Sequence, residues 1–273
     1  MEWLQAVFLG VLQGLTEFLP ISSSAHLRIF PELFGWEDPG AAFTAVVQIG
    51  TELAVLIYFR RDIWAISTTW LRSLVDPAYR GHHDALMGWY VIIGSLPIVL
   101  LGVIFKDLIE GELRSLWIVG STLVALGVVL GVAERVGRKT RPITTLGWRE
   151  ALVLGLAQAA ALVPGVSRSG ATISMGLFLG FEREAATRFA FLLAIPAVVG
   201  AGAFELKDAL GEDSVYSPGE TLVATVVSFV VGYATIAWLL RYVSTRSYAP
   251  FVAYRILLGT VVLILLGAGV LSA

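Results

Sequence analysis

The chain has no cysteine among its 273 residues, so disulfides, thiolate nucleophiles and thiolate-bound metals are excluded. Charge is scarce as well: 15% of residues are Asp, Glu, Lys or Arg, against roughly 25% in a soluble domain. Histidine occurs three times, and no zinc spacing, His ligand cluster or Gly-rich nucleotide loop is present. The formal net charge of −2 says nothing by itself, and no nucleic-acid partner is expected. The N-terminus lacks the basic start and small-residue cleavage site of a removed signal peptide, so Met1 onward is expected in the mature protein.

What the chain has in abundance is apolar length. Hydrophobic residues make up 57% of it, and several runs reach the roughly 20 residues that a membrane helix needs. Such runs are too long and continuous for the ten-residue alternation of an outer-membrane barrel. The expected fold class is an all-α polytopic membrane protein, a single integral domain over 1–273. Six full spans are expected at about 42–59, 86–105, 116–134, 185–206, 220–240 and 250–271. Two further apolar regions, about 2–34 and 148–181, are interrupted by Pro, Ser and Gly and read as re-entrant helical hairpins. Non-helical backbone at membrane depth survives only inside protein or beside a cavity.

Basic residues set the orientation. Arg60, Arg61, Arg72 and Arg80 share one loop, and Arg135, Arg138, Lys139, Arg141 and Arg149 share the next but one. Arg183 and Arg188 follow the second hairpin, and Arg241 and Arg246 follow the fifth span. The alternate loops carry acid: Asp107, Glu110 and Glu112 in one, Asp208, Glu212, Asp213 and Glu220 in the other. With the basic set in the cytoplasm, hairpin one enters from outside and hairpin two from inside, each followed by three spans. The expectation is an inverted-topology repeat, 1–134 and 148–273.

The two interruptions also match in sequence. Gln13-Gly-Leu-Thr-Glu17-Phe-Leu-Pro20-Ile-Ser22-Ser23-Ser24-Ala-His26 aligns without a gap to the stretch from Gln158 through Pro164-Gly165-Val-Ser167-Arg168-Ser169-Gly170-Ala-Thr172. Gln13 falls on Gln158, Ser22 on Ser167 and Ser24 on Ser169. Paired broken segments in two halves point to a site near the bilayer midplane.

The residue types in these breaks suit phosphate. A carboxylate in a bilayer costs about 2.5–3.5 kcal/mol on insertion scales, so Glu17 is expected to face a cavity or a partner. Bonding to neighbouring backbone N–H groups at a shallow tip is the bland alternative. Gln13, one turn earlier on the same face, orients Glu17 or ligates a metal, but as an amide it is no base. Ser22, Ser23 and Ser24 precede a helix start, where serine caps; a free helix N-terminus is also an anion site. His26 suits acid–base work near neutrality, the bland reading being a satisfied interior histidine, and His82 and His83 read as solvated. Arg168, set between two serines, offers a fork that matches phosphate oxygens, against the alternative of a snorkelling side chain. Ser167, Ser169, Gly170 and Thr172 add hydroxyls and close backbone approach. Gln48, Glu52, Gln158 and Arg255 are candidate cavity-lining groups, Glu52 equally a structural hydrogen bond and Arg255 equally an interface anchor. Glu184 and Arg188, four apart, read as a surface pair.

At these residues the chain resembles the undecaprenyl-diphosphate phosphatase, or bacitracin-resistance protein, family. The likeness rests on Gln13 to His26 and Pro164 to Ser174, and extends through Ser247-Tyr-Ala-Pro-Phe251 to Tyr254-Arg255. It implies interlocked inverted repeats and removal of the terminal phosphate from a C55 polyprenyl diphosphate, regenerating the lipid carrier of peptidoglycan synthesis. It implies a bacterial cytoplasmic membrane location, an active site facing the outer side, a divalent cation (Mg²⁺ or Ca²⁺) and a homodimer. By the resemblance Glu17, Ser23, His26 and Arg168 match the family's important residues, while Gln13 stands where many members have Glu. Either Ser23 or water attacks phosphorus, and either His26 or Glu17 takes the proton. The runner-up is a transporter of a phosphorylated lipid or anion, because inverted repeats also serve alternating access.

Overall fold

The computed structural model describes residues 2–37, 39–110, 112–209 and 215–271, and among these it contains twelve α-helices. They are α1 (Glu2–Thr16), α2 (Ser23–Phe34), α3 (Gly40–Tyr58), α4 (Arg60–Val75), α5 (His83–Ile104), α6 (Lys106–Glu110), α7 (Leu116–Val136), α8 (Trp148–Ala159), α9 (Arg168–Phe178), α10 (Arg183–Ala209), α11 (Pro218–Val243) and α12 (Ala249–Gly267). By length and composition α5, α7, α11 and α12 can cross a membrane, or five units if α3 and α4 count as one bent span. Between 22% and 39% of those four apolar windows is buried in the protein, so most of their surface is left for lipid. The chain is a polytopic helical membrane protein.

Each of the six expected spans corresponds to a helix: α3, α5, α7, α10, α11 and α12. The stretch read as a basic loop is different. Residues 60–75 form α4, because Ile63 and Ile66 recur at helical spacing and pack onto the central core. The acidic loops are only partly visible. Glu212 and Asp213 lie outside the described residues, as do the side chains of Asp107, Glu110, Glu112 and Asp208. Glu220 is not a loop residue: it closes a capping box with Ser217 at the start of α11. Arg188 reaches Asp62 of α4 (2.5 Å) rather than Glu184.

Two close helix pairs position the breaks. Helix α1 lies along α11 and α8 along α5. A Cβ on Gly10 would stand 2.5 Å from the Ala224 carbonyl, and one on Gly155 would stand 2.1 Å from that of Gly94. Gly10 and Gly155 occupy the same place in the two aligned segments. Small residues of this kind let helix backbones touch where lipid supplies no hydrophobic drive.

Candidate active site

Both helical segments stop for the same local reason and restart in the same way. Pro20 and Pro164 lack the N–H that would continue the ladder. Helices α2 and α9 then begin at N-caps Ser22 and Ser167, with φ of 77° and 71°. Positive φ is costly for a residue with a Cβ, of order 1–3 kcal/mol, and persists where surrounding contacts impose it. Ser22 Oγ accepts from the Ala25 N–H (3.4 Å) and Ser167 Oγ from the Gly170 N–H (3.1 Å). Each cap also meets the serine two residues on: Ser22 with Ser24 at 3.1 Å and Ser167 with Ser169 at 3.2 Å. Capping therefore consumes Ser22 and leaves Ser23 its hydroxyl.

The two breaks are stitched to each other. The Gly165 N–H donates to Ser24 Oγ (3.4 Å), and Ser169 Oγ donates to the Leu19 carbonyl (3.2 Å). Beneath them lies Arg255, fully buried. Its Nη1 donates to the Pro20 carbonyl (3.1 Å), its Nη2 to those of Gly165 (2.9 Å) and Val166 (3.0 Å), and its Nε to that of Leu123 (3.4 Å). Arg255 thus clamps backbone and neither lines the cavity nor anchors at an interface. Gly165, at φ 89°, is needed because a Cβ there would strike Thr122 Oγ1 at 2.1 Å.

Glu17 is the centre of the polar cluster. Arg168 Nη2 bonds Glu17 Oε1, while Oε2 accepts from Ser23 Oγ (2.7 Å) and from Gln13 Nε2 (3.2 Å). The side chains of Glu17 and Arg168 remain 9% and 21% exposed, so the pair is reachable. They border an open pocket, with Thr51, Glu52, Phe18, Ser169 and Phe191 around them. Gln48 donates to Glu52 (3.4 Å) behind this wall. The chemistry available is a carboxylate hydrogen-bonded to a hydroxyl, with a guanidinium on its other oxygen.

The remaining expected residues divide. Thr172 is fully buried and spends its hydroxyl on the Arg168 carbonyl (3.0 Å), so it holds α9 rather than facing the pocket. Gly170 packs tightly: an added Cβ would lie 2.8 Å from Arg255 Nη1. Gln158, the counterpart of Gln13, is fully buried with neither side-chain polar atom hydrogen-bonded. His26 is buried one turn beyond Ser23, with Nδ1 2.6 Å from the Ser22 carbonyl and Nε2 2.8 Å from the Tyr254 hydroxyl. Its ring runs nearly parallel to those of Phe30 and Tyr254. Tyr254 and Thr51 are site residues that sequence reasoning missed. Tyr254 stood in a recognised stretch, but nothing local tied it to a histidine 228 positions away. Thr51 meets Gln13 Nε2 at 3.5 Å.

No three His, Asp or Glu side chains converge into a metal cage among the described residues. Gln13 Oε1, however, is buried without a partner, while its Nε2 donates to Glu17. Glu17 and Glu52 line the same pocket, and carboxylate oxygens are the donor type that suits a hard cation.

Comparison with known proteins settles the family. The family described as bacitracin resistance protein BacA matches residues 6–261. The chain belongs to that family. Undecaprenyl-diphosphatase of Nocardioides sp. is 66% identical over 272 residues, covering 100% of this chain and 99% of its own length. Undecaprenyl-diphosphatase 2 of Streptomyces coelicolor is 56% identical over 100% of this chain and 97% of its own. The Micrococcus luteus undecaprenyl-diphosphatase is 56% identical over the full length of both. Membership in the BacA family covers both breaks and the α12 residues Tyr254 and Arg255, so site and clamp lie inside the matched region.

Proposed function

We infer that this chain is a membrane phosphatase that converts undecaprenyl diphosphate to undecaprenyl phosphate. The observation that carries the reading is the Glu17 carboxylate, joined to the Ser23 hydroxyl of its own break and to the Arg168 guanidinium of the other. The transport reading is not favoured, since the full-length relatives are named as phosphatases.

In this mechanism Arg168 first acts as the counter-ion of Glu17. An incoming diphosphate competes for the guanidinium, whose fork suits phosphate oxygens, and so frees the carboxylate. Ser23 Oγ, already on Glu17, gives its proton to that carboxylate and attacks the terminal phosphorus. The anhydride P–O bond breaks and the lipid monophosphate leaves; water then cleaves the phosphoserine and releases phosphate. Arg168 and the N–H groups at the starts of α2 and α9 stabilise charge on the transferred group. His26, held by Ser22 and Tyr254, supports the Ser23 turn from within α2. A divalent cation, when bound, supplies charge neutralisation on the diphosphate; Glu17, Glu52 and Gln13 Oε1 would hold it.

The layout belonging to this proposal is six spans with two re-entrant hairpins, α1–α2 and α8–α9, in an inverted repeat. It is supported by the paired caps Ser22 and Ser167 and the paired contacts at Gly10 and Gly155. With the basic loops cytoplasmic, the site opens to the outer side of the cytoplasmic membrane. A homodimer is part of the proposal and is tested by the mass of the protein–detergent particle.

The deciding assay is phosphate release from a polyprenyl diphosphate by purified protein with Mg²⁺ or Ca²⁺ present. Release is expected, and its absence returns the transport reading to the front. Full turnover by Ser23→Ala would replace the serine by an attacking water.

A further inference from the structure

Helix α4 takes no part in the site, yet its surface is patterned on three sides. It leaves α3 at a bend of 70°, so when α3 stands across the bilayer α4 runs nearly in the membrane plane. One face turns inward: Ile63 and Ile66 pack on the central core, Ser73 is buried, and Trp70 meets the edge of Trp89 at 5.5 Å. A second face carries exposed Trp64, Leu71 and Leu74 (73%, 54% and 46%), with the small exposed Ser67 among them and exposed Arg60 at its head beside the bend. A third carries Arg61, Thr68 and Arg72 and ends in Val75, 83% exposed, and exposed Arg80 follows with Nε on the Ser73 carbonyl at 3.3 Å.

We propose that α4 is an in-plane interfacial helix whose apolar face lies in the acyl boundary and whose arginines gather anionic lipid headgroups. Three observations favour lipid over a protein partner. The exposed apolar face continues into that of α5, where Trp89, Leu96, Val99 and Val103 are exposed on a membrane-length helix. The charge is one-sided, since Asp62 is engaged by Arg188 and Asp76 caps the Ala78 N–H at 2.9 Å. Trp64 of α4 and Trp89 of α5 are exposed, with the amphipathic rings favoured at the headgroup level. An amphipathic helix with this division lies in the interface and prefers anionic lipid.

The absence of cysteine makes the test direct. Single variants Leu71→Cys and Thr68→Cys are labelled with a polarity-sensitive fluorophore in the full chain, reconstituted in vesicles with retained phosphatase activity as the check of fold. The label at position 71 is expected to be quenched by a shallow lipid-borne nitroxide, and that at 68 by aqueous iodide. Energy transfer from position 71 to a labelled anionic lipid should exceed that to a labelled neutral lipid by about twofold. The combined Arg61→Gln, Arg72→Gln, Arg80→Gln chain should bring that ratio to unity. Iodide quenching at 71, transfer between labelled copies without nitroxide quenching, or a ratio unmoved by the arginine changes would each overturn the proposal.

Discussion

The Tyr254 hydroxyl lies 2.8 Å from Nε2 of His26, joining α12 to the restart of the first break. The Ser22 carbonyl on the other ring nitrogen can only accept, so Nδ1 carries a proton, and when the ring is neutral Nε2 accepts from tyrosine.

Tyr254→Phe keeps the ring and deletes that bond. Leaving a buried acceptor unpaired costs about 1–3 kcal/mol, so turnover should fall roughly tenfold with KM little changed. Steady-state phosphate release measures it. If Tyr254 acts through His26, adding Tyr254→Phe to a His26→Ala chain should cost almost nothing more; full additivity would separate the two residues.

Arg168→Ala should lower kcat/KM by about two to three orders of magnitude, the scale of losing a charge-stabilising donor. Arg168→Lys should recover only part, because a point charge replaces a fork. Glu17→Gln should be comparably severe, and the Glu17→Gln, Arg168→Ala double variant no worse than the poorer single. Phosphate-release kinetics on all four chains decide it, and wild-type behaviour of Arg168→Ala would refute the phosphate role.

Arg255→Met should act on stability before chemistry. It leaves the Pro20, Gly165 and Val166 carbonyls without their donor in a buried site, at about 1–3 kcal/mol each. A marked fall in the unfolding midpoint in detergent is expected, with activity lost in step. An unchanged midpoint would show that the breaks hold without the clamp.

Gly155→Ala should cost about 1–3 kcal/mol by forcing α8 away from α5, since the new methyl meets the Gly94 carbonyl. Thermal unfolding of the purified protein reads this out. Gly35→Ala is a useful contrast, because an added Cβ there meets nothing and only the φ of 65° resists it.

Much of this was legible in the sequence because bilayers leave few options for backbone. Apolar length marks a helix at each of the six expected spans, four of them long and apolar enough to cross a membrane, and Pro20 and Pro164 mark the breaks. The equivalence of Ser22 and Ser167 was readable by alignment alone, since both residues face the same capping task. Other features were not legible. Arg255 reads from sequence as a cavity-lining or interface residue because its partners are carbonyls, which carry no sequence mark. Tyr254 is paired through the fold and not through spacing. Helix α4 was hidden by its arginines, whose charge read as a loop although Ile63 and Ile66 kept a helical period. Thr172 was credited with facing phosphate because its hydroxyl was counted without its rotamer.

Helix α1 seats Gly10 on Ala224 of α11, and that contact has a consequence for biosynthesis. The ribosome delivers α1 well before α11, which carries its packing surface. While the intervening helices insert, Glu17 has neither Arg168 nor the Arg255 clamp beneath its break. The segment bearing the carboxylate is therefore made before the helices that lock it, and its cluster is assembled only once α9 and α12 are both in place.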